Sequence, residues 1–146
     1  MHVVDTNILI YAADQDSPYH AACRAHLERW RRQPAPVFLT WSICYEFLRV
    51  TSHPRVFQRP WSVTESWRFL DALLASPGMA LLEATARHAA VLEQTLMELP
   101  ELGGNQVHDL HIAVLMREHG VSRIYTRDTD FHRFGFLTVL DPLRET

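Results

Sequence analysis

A chain of 146 residues, 47% hydrophobic and 21% charged, suits one domain (1–146) with one sizeable core and excludes disordered and fibrous classes. All 14 basic residues are Arg, which excludes chemistry that needs a Lys, and a formal net charge of −3 leaves any attraction of a polyanion to local Arg patches or metal ions. No apolar run reaches membrane-spanning length and the first residues lack the basic stretch and apolar core of a signal peptide, so cytoplasmic residence is expected.

Residues 2–4 read as a short buried strand, with a helix from Thr6 to Ala13 just beyond it. Ser17-Pro18 is a helix start, Ser at the cap and Pro in the first turn, leading into Tyr19 to Arg32; Pro34 and Pro36 break that helix. Val37-Phe38-Leu39 is the second strand and Trp41 to Val50 the next helix. Residues 51–62, with Pro54 and Pro60, read as a loop, followed by a helix from Val63 to Ala75 and a turn at Ser76-Pro77-Gly78. Met79 to Leu82 is the third strand, and a helix spans about Thr85 to Leu99. After Gly103-Gly104, Asn105 caps a helix to about His119, which Gly120 ends in the left-handed position. Arg123 to Thr126 and Leu137 to Leu140 are the fourth and fifth strands. Short β-rich runs alternating with helices predict an α/β fold, with parallel strands joined by right-handed crossovers and helices on both faces.

Chemistry in such sheets gathers at the carboxyl ends of the strands. Asp5 ends the first strand, and Asp128 and Asp130 follow the fourth. Glu46 borders a core-facing stripe set by Ile43, Phe47 and Val50. Asp109 shares a helix face with Ile112, Ala113 and Met116, in the first turns where the helix dipole favours negative charge. Each acid alone has an ordinary structural reading: Asp5 as a helix cap, Glu46 as the partner of Arg49, Asp109 as a solvent-facing helix residue, Asp128 and Asp130 as turn formers. Together they repel one another unless a cation neutralises them, and hard oxygen ligands suit Mg²⁺ or Mn²⁺. Such an ion activates a water and screens a phosphodiester during in-line attack.

Other polar residues point less far. His108 and His111 flank Asp109 at a spacing that can bind Zn²⁺, but without Cys or a third placed His they read as helix-surface residues. Cys23 and Cys44 read as small buried thiols, and Trp30, Trp41, Trp61 and Trp67 as core or interface residues. Arg24, Arg29, Arg31 and Arg32 on one stretch, and Arg49, Arg55 and Arg59 on another, are equally a solvated helix face or a phosphate-contacting patch.

Four stretches resemble the acidic motifs of PIN-domain ribonucleases: Val4-Asp5-Thr6-Asn7-Ile8-Leu9-Ile10-Tyr11, the helical Glu46 with Arg49, Asn105 to Ala113, and Thr126-Arg127-Asp128-Thr129-Asp130-Phe131. The likeness is greatest to the VapC toxins of bacterial toxin–antitoxin pairs, and it spans nearly the whole chain in family order. It implies a three-layer α/β/α sandwich with a five-stranded parallel sheet. It also implies an endoribonuclease activity in which a water activated by Mg²⁺ or Mn²⁺ attacks a phosphodiester. By this resemblance Asp5, Glu46, Asp109 and Asp128 are catalytic, and Asp5, Asp109 and Asp128 hold the metal. Thr6, Asn7, Thr126 and Asp130 give support. A homodimer and a small cognate antitoxin that blocks the site are further implications.

Relatives often place the final Asp-Phe one residue further from the motif's Thr. Asp128 is the preferred ligand here because the chain at Thr126 still points along the strand, and Asp130 is then expected to cap a short helix near Phe131. Residues 51–62, with Arg55 and Arg59, and Arg49 are the expected RNA contacts. Two other readings compete. Phosphoryl transfer to Asp5 calls for a second acid and usually a Lys, where this chain has Asn7 and no Lys. A non-catalytic RNA- or protein-binding scaffold predicts a degenerate acid set, yet all four motif acids are present.

Overall fold

In chain order the computed structural model, which describes residues 1–144, runs β1 (His2–Val4), α1 (Thr6–Ala13), α2 (His20–Trp30), β2 (Val37–Leu39), α3 (Trp41–Thr51), α4 (Val63–Leu74), β3 (Met79–Leu81), α5 (His88–Glu98), α6 (Gln106–Glu118), β4 (Arg123–Tyr125), a 3₁₀ helix (Thr129–Arg133) and β5 (Thr138–Leu140). The last two residues of the expected 1–146 domain lie outside the described residues. The strands form one all-parallel sheet in the order β3-β2-β1-β4-β5. Successive crossovers run outward from β1 on one side and from β4 on the other, so the order reverses between β1 and β4. That reversal is the switch point where a crevice opens at the carboxyl ends of the strands.

Right-handed crossovers assign the helices to two layers. Contacts run from α2 to α1, from α1 to α3 and from α3 to α4, while α5 packs on α6. Between the layers lie β1, whose Val3 and Val4 are fully buried, and Ile8, Leu9, Phe47, Leu70, Ile112 and Ile124. Burying each such side chain stabilises the fold by roughly 1.5–3 kcal/mol before conformational entropy is counted. Three-residue strands suffice because both faces of the sheet are covered.

Local chemistry explains where the elements begin and end. Thr40 follows β2 and caps α3, its hydroxyl accepting the amide of Ile43 at 3.2 Å. The turn at Ser76-Pro77-Gly78 needs its glycine, since a Cβ there would overlap the carbonyl of Trp30. Gly120 ends α6 at φ +67°, as its position predicts.

Some expected boundaries and caps differ. The second helix starts at His20, not Tyr19, because the Ser17 hydroxyl accepts the Tyr19 amide and forms a turn ahead of the helix. The fifth helix starts at His88 rather than Thr85, whose amide and hydroxyl both bond Glu118. Asn105 occupies the cap position of α6 but makes no side-chain capping bond. Cys23 and Cys44 are buried and free, and burial pushes both thiols up to about 11, so they pack as small apolar groups. Trp30 is core, whereas Trp41 is 40% exposed. No helix among the described residues is long and apolar enough to cross a membrane.

Candidate active site

The chain leaves β1 at Asp5, whose amide still bonds the Tyr125 carbonyl of β4 at 3.0 Å. Asp5 then caps α1, its Oδ1 accepting the Thr6 amide at 2.7 Å. Its Oδ2 accepts the Thr126 hydroxyl at 2.7 Å and the Asn7 side-chain amide at 3.5 Å. The cap reading of Asp5 therefore holds, and capping leaves lone pairs on its oxygens for a further contact. Thr126, fully covered at the end of β4, accepts the Asp128 amide at 2.9 Å and the Asn7 side-chain amide at 3.2 Å. Asn7 also accepts the Arg127 amide at 3.4 Å. Through these bonds the loop after β4 is tied to the loop after β1.

Helices bring the other acids to the same place. Asp109, in the first turn of α6, is buried, which removes its solvent-facing reading. Glu46 on α3 is half-buried and pairs with Arg49 through two bonds, 2.6 and 3.1 Å. Asp5, Thr6, Asn7, Glu46, His108, Asp109 and Asp128 line one cavity of about 190 Å³. A carboxylate oxygen from each of Asp109, Asp128 and Asp130 lies within 4.8 Å of the others.

Electrostatics shows the cost of this convergence. Burial pushes Asp109 up to about 7, with the charges of Asp128, Asp5 and Asp130 adding to the rise and Arg133 opposing it. Asp5 is also raised, first by burial, although the Thr126 and Thr6 bonds pull the other way. Glu46 is held below its ordinary value, chiefly by the hydrogen bond from Arg49. An all-oxygen donor set, with two buried acids that resist ionising together, fits a divalent hard cation such as Mg²⁺ or Mn²⁺. Asp109 and Asp128 belong to both the cavity and the tight oxygen cluster. The third oxygen of that cluster comes from Asp130, whereas both oxygens of Asp5 accept hydrogen bonds.

One expectation in the last motif is corrected. Asp128, not Asp130, caps the 3₁₀ helix, accepting the Asp130 amide at 2.9 Å. The helix starts at Thr129, two residues before Phe131, because Asp128 is in extended backbone and its short side chain reaches that amide.

The three Arg residues expected to touch RNA are not on the cavity lining. Arg49 is engaged by Glu46, and Arg59 by both oxygens of Asp16, at 2.9 and 3.0 Å, beside a separate hollow floored by Phe57 and Trp61. Arg55 is exposed on the 51–62 loop. His108, an exposed helix residue as expected, does line the cavity; its position directly before Asp109 was the available signal.

The family model for the PIN domain matches residues 2–137. Ribonuclease VapC43 of Mycobacterium tuberculosis is 34% identical over 143 residues, covering 98% of this chain and 96% of that protein. Among solved structures, Mycobacterium tuberculosis VapC20, a sarcin-ricin loop cleaving toxin, matches with a TM-score of 0.64 at 18% identity, over 94% of this chain and 97% of its own. VapBC2 from Rickettsia felis, solved bound to a promoter DNA fragment, matches with a TM-score of 0.66 at 17% identity, over 96% and 97% of the two chains. Those two likenesses concern the fold, which is the five-stranded parallel α/β sheet described above. The length of the family match and the identity to VapC43 over nearly the full chain place this protein in one family: it belongs to the PIN-domain family, among relatives named VapC ribonucleases.

Proposed function

We propose that the protein is a Mg²⁺- or Mn²⁺-dependent endoribonuclease and the toxin of a type II toxin–antitoxin pair. The observation that carries this reading is the meeting of Asp5, Glu46, Asp109 and Asp128 in one cavity at the sheet's switch point. Asp5, Asp109 and Asp128 are the residues that would hold the ion, with Asp130 close enough to contribute an oxygen. The ion would supply positive charge against a phosphodiester and lower the pKa of a coordinated water.

The chain's own residues do the positioning. Thr126 and the Thr6 amide fix the two oxygens of Asp5, so its direction is set before substrate arrives. Asn7 spans Asp5, Thr126 and the Arg127 amide, holding the two loops in register. Glu46, kept ionised by Arg49, offers a proton-accepting oxygen on the cavity wall. Phosphoryl transfer to Asp5 is disfavoured by the absence of any Lys and by Asn7 standing where a second acid is called for.

The names of the relatives support RNA as substrate, and the VapBC complexes support a small antitoxin as partner. A homodimer and a cytoplasmic setting complete the proposal. Purified protein should cut RNA with Mg²⁺ or Mn²⁺ and stop on addition of EDTA. Cleavage that persists unchanged in both Asp5→Ala and Asp109→Ala would place the chemistry elsewhere.

A further inference from the structure

The crevice at the carboxyl ends of the strands does not stop at the acid cavity. Asp128 is a wall shared with a second cleft of about 360 Å³, which opens over the ends of β4 and β5. Its chemistry is different. Val139 and Leu140, half-exposed at the end of β5, give it an apolar side, while Arg127, His132 and Arg144 give it a donor-rich one.

The two guanidiniums share a single carboxylate. Arg127 meets Asp141 at 3.3 Å and Arg144 meets it at 3.5 Å, while the other carboxylate on the lining, Asp128, has an oxygen in the Asp109–Asp130 cluster. Arg127 is fixed in place, stacked over the Tyr19 ring at 4.6 Å. The Arg144 side chain is 83% exposed and can turn towards a ligand at little cost. His132 is exposed on the 3₁₀ helix and, among the described residues, is not committed to a hydrogen bond.

We propose that this cleft binds the nucleotide next to the scissile phosphate of RNA, with its base against Val139 and Leu140 and its phosphate on Arg144 and His132. The inference rests on the nuclease reading above and extends it. A phosphodiester entering a cavity of carboxylates carries neighbouring phosphates with it, and a chain of net charge −3 must meet those locally. Arg49 is occupied by Glu46, whereas the Arg144 cleft is contiguous with the acid cavity through Asp128. A cleft of this size, apolar on one side and lined by Arg127, His132 and Arg144 on the other, suits one small anionic ligand unit.

The test uses the full chain and a short fluorescently labelled oligoribonucleotide, with binding read by anisotropy in EDTA and cleavage read separately with Mg²⁺. Arg144→Ala combined with His132→Ala changes only exposed side chains, and thermal melting checks that the fold is retained. Loss of two hydrogen bonds to a charged phosphate should weaken binding roughly 10- to 100-fold. An abasic substitution at one oligonucleotide position should weaken the wild type more than the double variant. Unchanged affinity in the double variant overturns the proposal, as does an equal loss at every abasic position. Loss of peptide binding with RNA binding intact also overturns it and assigns the cleft to a protein. Wild-type binding through this cleft with no cleavage in Mg²⁺ or Mn²⁺ supports the subsite and removes the nuclease reading. Cleavage with KM unchanged in the double variant does the reverse.

Discussion

The Thr126 hydroxyl donates to Asp5 Oδ2 at 2.7 Å from the neighbouring strand, 121 residues away in sequence. The Thr126 hydroxyl oxygen itself accepts the Asp128 amide at 2.9 Å, so one side chain couples the first acidic motif to the last. A hydroxyl is needed at this position because Asp5 is buried and Asp128 needs its loop held.

Thr126→Val keeps the shape and removes that hydroxyl. Leaving a buried carboxylate one bond short should cost about 1–3 kcal/mol, measurable by urea unfolding. Loosening an oriented acid should lower RNA cleavage roughly 10- to 100-fold. Thr126→Ser should restore most of both, and a Val variant with wild-type turnover would show that Asp5 is oriented without this bond.

Asp109 makes the metal-free protein sensitive to rising pH. Its folded pKa of about 7 lies above the unfolded value of roughly 4, so its contribution to stability is full below about pH 4 and is lost as pH climbs through about 7. In EDTA, Asp109→Asn should therefore melt higher than wild type at pH 8 and gain less at pH 4.5. Added Mg²⁺ should raise the wild-type melting temperature more at pH 8 than at pH 5. Parallel melting-temperature profiles for variant and wild type across that range would contradict the burial and crowding inferred for Asp109.

His2 acts in the opposite direction. Burial lowers it to about 4, with the N-terminal amine, Arg123 and Arg29 adding to the fall, while its ring lies against Trp30 and Tyr125. The unfolded chain takes up the proton first, so stability is lost as pH falls from about 6.5 towards 4. His2→Phe should flatten that acid limb of the melting profile, and an unchanged limb would assign acid sensitivity to other groups.

Glu118 holds α5 against α6. It is buried at the end of α6 and accepts the Thr85 amide at 2.9 Å, the Thr85 hydroxyl at 2.8 Å and His88 at 2.6 Å. Burial alone would raise this acid, but those bonds outweigh it and hold it below the ordinary value. Glu118→Ala should destabilise by about 3–5 kcal/mol, and Glu118→Gln by less. Cleavage per folded molecule should stay near wild type below the melting range. A fall in turnover without a fall in stability would give Glu118 a role in the site.

Strand positions were legible because Val3-Val4, Val37 to Leu39 and Arg123 to Tyr125 are short apolar or β-branched runs bounded by turn residues. The acids were legible for a different reason: Asp5 and Asp109 interrupt apolar patterns, and burial of both shows that the interruption is real. What the residue pattern does not carry is side-chain geometry. Which of Asp128 and Asp130 caps the short helix depends on which side chain reaches the first amides, and it is Asp128 that accepts the Asp130 amide. The Glu46–Arg49 pair is legible at its i,i+3 spacing, whereas nothing in sequence pairs Arg59 with Asp16, 43 residues away. The Arg144 cleft joins segments after two different strands and left no mark in any single stretch.

The proposed function has the acids of one cavity cut RNA with a divalent ion. It is tested most directly by incubating purified antitoxin-free protein with labelled RNA in Mg²⁺ or Mn²⁺, alongside Asp109→Asn and an EDTA control. Wild type should give endonucleolytic products that EDTA abolishes and that fall by at least about 100-fold in the variant. Equal cleavage by wild type and Asp109→Asn, or cleavage indifferent to EDTA, would contradict it.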